Sequence, residues 1–148
     1  ANANLANFFG NLAQNTLSFI AKNLDGHLPA IHGHDEADLA LLDQVGKAVQ
    51  HDVPAAMDAI APTQAIEFWM QAVFACNAYI DAQAPWTLRK TDPERMETVL
   101  ATLFICIAQL ATAIQPVVPY SPLAESYFRM AAPSPLFPRL ELPAEDAA

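Results

Sequence analysis

The chain has 148 residues, 53% of them hydrophobic, and a formal net charge of −9 from 7 Lys plus Arg against 16 Asp plus Glu. One domain fits this length, and a chain of that size buries roughly 68–70% of its unfolded surface. With only 4 Gly and 9% aromatics, the composition favours helices and excludes a disordered or low-complexity chain. The acidity argues against a free-standing nucleic-acid binder, because phosphate contacts supply most of such affinity.

The longest apolar stretches are interrupted by polar residues, as Gln71 and Asn77 interrupt the run after Phe68. No bilayer-spanning segment of ~20 residues and no signal peptide is therefore expected. A start on Ala1 rather than Met reads as a processed product or an excised piece.

In chain order, Asn2 to Leu24 carries apolar residues at Leu5, Phe8, Phe9, Leu12, Leu17 and Ile20, close to helical spacing, and Asp25-Gly26 supplies the stop. A loop from His27 to His34 follows. Asp35 caps the second helix, with Asp38 placed as in a capping box. That helix runs through Leu39, Leu42, Val45 and Val49 toward Asp52, and Pro54 either kinks it or opens a new turn. A third helix, Thr63 to about Gln83, sets Ile66, Trp69, Met70, Val73, Phe74 and Ile80 on one wide face. It stops at Pro85, and Trp86, Arg89 and Lys90 lie in the connection. Asp92 caps a fourth helix with Pro93 at its first position, running to about Gln115 and ended by Pro116 and Pro119. A short helix near Leu123–Ala131 and an extended, proline-rich tail over 132–148 complete the chain. No strand signal is present, so the expected fold is an all-α antiparallel helix bundle over 1–131.

Chemical motifs are sparse. Cys76 and Cys106 sit among apolar neighbours and read as buried, reduced core thiols in a cytoplasmic protein. His27, His32, His34, Asp35, Glu36 and Asp38 cluster, but their spacing matches no standard zinc pattern, and acids there suit a helix N-terminus. No metal or cofactor is expected. Neither a G-x-S-x-G elbow nor a run of glycines that could cradle phosphate occurs, so no catalytic residues are assigned. Trp86 follows a helix stop with two cations in reach, an arrangement suited to stacking on a base beside a phosphate. By burial preference alone, Trp86 belongs in the core under the connection.

Three segments change that balance. They are Gly10-Asn11-Leu12-Ala13-Gln14 with Thr16-Leu17-Ser18-Phe19-Ile20; Tyr79-Ile80-Asp81 through Ala84-Pro85-Trp86 to Lys90; and Gln115-Pro116-Val117-Val118-Pro119 with Pro135-Leu136-Phe137-Pro138-Arg139-Leu140-Glu141. In this order they resemble the C-terminal anticodon-binding domain of bacterial methionyl-tRNA synthetases, in altered or truncated form. The resemblance implies the helical bundle of class Ia aminoacyl-tRNA synthetases, recognition of the CAU anticodon of initiator and elongator methionine tRNA, and no membrane. By the same resemblance Trp86 stacks on the first anticodon base, Asn11 hydrogen-bonds the anticodon bases, Pro85 shapes the pocket, and Arg89 and Lys90 lie beside it. Stacking plus an amide reading base edges suits an unstacked loop.

Three departures accompany the likeness. Asn15 stands where the family pattern has an Arg one turn beyond Asn11, on the same helix face. The connection between Pro119 and the P-L-F-P-R segment is short. The catalytic signatures H-I-G-H and K-M-S-K-S are missing, which implies a catalytic domain outside this chain and no charging activity in the chain alone. These departures, with the paired aromatics Phe8-Phe9, Phe68-Trp69 and Tyr127-Phe128, motivate an alternative: an altered or engineered scaffold that holds a small apolar ligand or a protein partner, with tRNA binding lost.

Overall fold

A computed structural model describes residues 2–117, with side chains over residues 7–113. Among the described residues all regular structure is helical: α1 (Asn2–Asn23), α2 (Glu36–Lys47), α3 (Val53–Asp58), α4 (Pro62–Gln83), α5 (Pro85–Thr91) and α6 (Pro93–Val117), with a π-helical turn Ala48–Asp52 between α2 and α3. The expected short helix near 123–131, the 132–148 tail, Tyr127-Phe128 and the P-L-F-P-R segment lie outside the described residues.

Local chemistry accounts for most of the boundaries. α1 stops where Asp25 and Gly26 both turn left-handed, at φ 53° and 79°, a conformation glycine adopts without strain. α2 opens with a reciprocal capping box: the Asp38 amide donates to Asp35 Oδ1 at 3.1 Å, and the Asp35 amide donates to Asp38 Oδ2 at 3.0 Å. Pro54 lies in the first turn of a new helical segment, α3, in keeping with the second of the two expectations. The preceding turn widens, so that the Val53 amide donates to Ala48 O. Widening relieves the clash between a proline ring and the carbonyl four residues back.

Two expectations need correction. The segment after Pro85 is not a connection but a separate seven-residue helix, α5. Ala84 turns left-handed (φ 45°) and breaks the chain away from α4, while Pro85, with its fixed φ, starts the new helix. Pro116 lies inside α6 rather than ending it. In addition, α6 over Pro93–Ala113 is long and apolar enough by length and composition to cross a bilayer, yet most of it is buried within the bundle.

α4 forms the centre of the core, with Ala65, Trp69, Ala72, Val73 and Cys76 facing Phe9, Leu12 and Ala13 of α1, Leu41 and Val45 of α2 and Val99, Leu103 and Leu110 of α6. Trp69 is wholly buried, meets Phe9 edge-on at 5.0 Å between ring centroids, and donates from Nε1 to Leu110 O at 2.9 Å. A second cluster joins Leu17 and Ile20 of α1 to Met96 and Leu100 of α6. Leu88 of α5 packs against both clusters. Cys76 and Cys106 are free and buried. A hydrogen bond to Cys106, and then burial, push the Cys76 thiol well above the usual range.

Candidate nucleic-acid interface

One face of α1 is polar because the core takes the other. Phe9, Leu12, Ala13, Thr16, Leu17 and Ile20 are buried, whereas Phe8, Asn11, Asn15, Ser18 and Lys22 are exposed. The exposed residues recur three or four apart and so form a single stripe. At its upper end Phe8 meets Phe74 of α4 edge-on at 5.0 Å, both rings partly exposed. At its lower end, the oxygen of Asn23 accepts a hydrogen bond from Arg89 Nη1 of α5 at 3.2 Å.

Trp86 lies one turn before Arg89 on α5, so the two share a face of that short helix.

Trp86 is 49% exposed, which decides against a core role. Pro85 beneath it is buried, and Arg89 and Lys90 are exposed. Electrostatics distinguish this end from the rest of the chain. Lys47 is paired with Asp52 at 3.2 Å and Arg95 with Asp35 and Asp38, but Lys22, Arg89 and Lys90 join no ion pair among the described residues. Among the described residues, the cations outside any ion pair are thus Lys22 on α1 and Arg89 and Lys90 on α5, the helix that carries the exposed Trp86. Of the residues expected at the site, Asn11, Asn15, Trp86, Arg89 and Lys90 are exposed and Pro85 is buried, and the Arg89–Asn23 hydrogen bond joins the two helices that carry them. Lys22 and Asn23 were not anticipated from sequence. The spacing of Asn11, Asn15 and Lys22 on one helix face was the available signal for Lys22.

Behind α5 lies a buried ionic network. Asp38 is fully buried and is gripped by Arg95 through Nη1 at 2.6 Å and Nη2 at 2.8 Å. The Tyr79 hydroxyl also donates to it. Arg95 Nη2 lies 3.0 Å from Asp35 Oδ2 and donates to Gln83 Oε1, on the last residue of α4, at 2.9 Å. Burial alone raises the Asp38 pKa, but hydrogen bonds from Arg95, Tyr79 and the Asp35 amide, with the Arg95 charge, hold it at about 2. Burial and then Asp38 push the Tyr79 hydroxyl upward, and Asp38 raises Arg95.

The histidine-rich loop is engaged elsewhere. His32 Nε2 lies 2.8 Å from Glu97 Oε1, the Ala30 amide donates to Glu97 Oε2 at 3.0 Å, and the His32 amide donates to Thr98 Oγ1 at 2.9 Å. His34 Nδ1 lies 3.6 Å from Asp38 Oδ2, while His27 is exposed. Among the described residues, no group of three His, Cys, Asp or Glu is placed to hold a metal ion.

Residues 28–132 match the family model described as the anticodon binding domain of methionyl tRNA ligase. The chain is 44% identical over 124 residues to methionine–tRNA ligases of Brucella suis and Mesorhizobium japonicum, in alignments covering 81% of this chain and 23% of each relative. It therefore spans about a quarter of the length of these relatives. Among solved structures it resembles the apo form of Mycobacterium tuberculosis methionyl-tRNA synthetase, with a TM-score of 0.76 and 37% identity, over 86% of this chain and 26% of that one. The same enzyme in complex with methionyl-adenylate gives a TM-score of 0.75.

Proposed function

We propose, from the premise that this chain belongs to the family of anticodon-binding domains of methionyl tRNA ligases, that it recognises the CAU anticodon of methionine tRNA. The observation that carries this reading is the half-exposed Trp86 on one short helix with Arg89 and Lys90, where Arg89 bonds Asn23, the residue after Lys22 on α1, and none of these three cations is ion-paired among the described residues. An exposed indole offers a face to an unstacked base, and the cations meet the phosphates on either side of it. Asn11 and Asn15, exposed on the adjoining stripe of α1, present amides that pair with the base edges. Pro85, buried at the start of α5, keeps the indole turned outward. At position 15 an amide replaces a cation, so the electrostatic share of binding shifts to the α5 end.

Forming the methionyl ester is the task of a catalytic domain outside this chain. The domain's share is to hold the anticodon of initiator and elongator tRNAs. Two buried free thiols suit the reducing cytoplasm.

Titrating the chain with a CAU stem-loop tests the proposal through indole fluorescence. Trp69 is buried, so quenching reports on Trp86. Saturable quenching is expected with CAU and not with a scrambled loop, and Trp86→Ala is expected to weaken binding roughly tenfold to a hundredfold, the value of one stacked base. If CAU gives no quenching even at low salt, where phosphate attraction is strongest, the chain does not bind this RNA. Stabilisation by apolar ligands instead would favour the altered-scaffold alternative.

A further inference from the structure

A seven-residue helix is too short to hold itself in water, so the attitude of α5 depends on what grips its two ends. Its N-terminal end follows Ala84, a left-handed residue at which the chain changes direction between α4 and Pro85. Within the segment, the Thr87 amide donates to Ala84 O and the Asp92 amide to Leu88 O, each at 2.9 Å. These bonds close single turns and do not fix α5 relative to the bundle. Leu88 anchors one side by packing.

Two polar ties remain: Arg89 Nη1 on α5 donates to Asn23 Oδ1 of α1 at 3.2 Å, and a second spans the ends of the segment. Gln83, the last residue of α4, accepts a hydrogen bond from Arg95 Nη2 in the first turn of α6 at 2.9 Å. That bond joins the two ends of the segment 84–94, which carries Trp86, Arg89 and Lys90. The same guanidinium holds buried Asp38 with a bidentate grip and reaches Asp35. The tie is thus fixed to α2 as well, and the Arg95 amide bonds Asp92 Oδ1 at 3.2 Å.

We propose that Arg95, acting through Gln83, is a positioning residue that sets the attitude of α5 and so presents Trp86 for stacking. This rests on the reading of Trp86 as the base-stacking residue. Arg suits the post because its rigid fork serves two carboxylates and an amide oxygen at once, which a lysine ammonium cannot do in one geometry. A free helix would have to be ordered at the moment of binding, and preorganising it removes that cost.

Gln83→Met removes only the acceptor and leaves the Asp38–Arg95 pair whole, so the variant folds. In the free protein, hydrogen exchange at the amides of Leu88 and Asp92 should quicken and acrylamide should quench Trp86 more readily, while α6 amides and the melting temperature hold. Gln83→Glu, which keeps an oxygen acceptor, should restore the protection. With the CAU stem-loop, Gln83→Met should bind about tenfold more weakly, with an unchanged salt dependence because no cation is lost. The same loss is expected for Arg95→Lys after correction for its folded fraction.

Unaltered exchange and quenching at α5 in Gln83→Met would overturn the proposal. So would wild-type affinity in that variant. If the unmutated chain binds no CAU stem-loop, the anticodon reading falls, and with it the stacking role given to Trp86. The exchange data would then still decide whether the Arg95–Gln83 bond holds α5.

Discussion

Ile60 sits between α3 and α4 with a left-handed backbone (φ 57°) and a side chain 88% exposed. A β-branched residue is strained there by roughly 1–2 kcal/mol, and burial offsets none of it. Ile60→Gly relieves the strain but adds freedom to the unfolded chain worth roughly 0.4–1 kcal/mol. A net gain of about 0.5–1 kcal/mol is expected, or a melting temperature a few degrees higher by calorimetry; a lower one would refute the account. Ala84, also left-handed, has a Pro on its C-terminal side, so its strain marks the break that creates α5. The two tryptophans show how context overrides residue type. Trp69 was placed on a wide apolar face by helical periodicity and is fully buried. Trp86 has the same burial preference and stands half in solvent, because a proline directly before it took the inward position.

At the scale of elements, the loop between α1 and α2 is pinned to α6 by His32 and Glu97, with Glu94 also facing the imidazole at 3.9 Å. The hydrogen bond to Glu97 raises the pKa of His32, and the bond to His32 lowers that of Glu97. A histidine whose folded pKa lies above its unfolded value of 6.5 adds stability that is fully present below 6.5 and lost as pH rises through the folded value. Protection factors for the Ala30 and His32 amides should therefore hold below pH 6.5 and fall as pH rises above it, and Glu97→Gln should remove that dependence. A flat profile in the unmutated chain would show that the clamp does not depend on the imidazolium.

The helix starts at Asp35 and Asp92 and the stop at Asp25-Gly26 were legible because capping chemistry acts over three or four residues. α5 was not. A helix of seven residues carries too few turns for a periodic pattern, and the proline ahead of it looked like a terminator rather than a first residue. The widened turn before Pro54 was hidden for a related reason: sequence shows that a proline must be accommodated, not how.

Over the whole molecule, one carboxylate joins three helices. Asp38 on α2 meets Tyr79 on α4 and Arg95 on α6. Its folded pKa, lowered from 3.8 to about 2, means that it adds stability present above 3.8 and lost as pH falls toward 2. Asp38→Asn leaves a largely buried guanidinium with only the more exposed Asp35 as counter-charge and should cost about 3 kcal/mol at neutral pH by denaturant unfolding. Acid unfolding of the variant should be correspondingly flatter between about pH 4 and about pH 2. An Asp38→Asn protein as stable as its parent would mean that the network is incidental. The net charge of −9 argued against nucleic acid, yet charge acts locally, within a screening length of about 8–10 Å. What matters at Trp86 is that Arg89 and Lys90 share its helix and that Arg89 bonds Asn23, the residue after Lys22. Of the expected apolar faces, Leu39 and Phe74 turn out exposed, while the sequence by itself determined the helical class, the capped starts at Asp35 and Asp92, the stop at Asp25-Gly26 and the family. Each of these rests on contacts within about one turn or on order along the chain. Only the tertiary structure decided that Trp86 is open to solvent, that Arg89 reaches Asn23 of α1, and that Arg95 reaches Asp38 and Gln83. Those facts depend on how α1, α2, α4 and α6 pack, and a side chain's partner across the bundle leaves no trace in its neighbours along the chain.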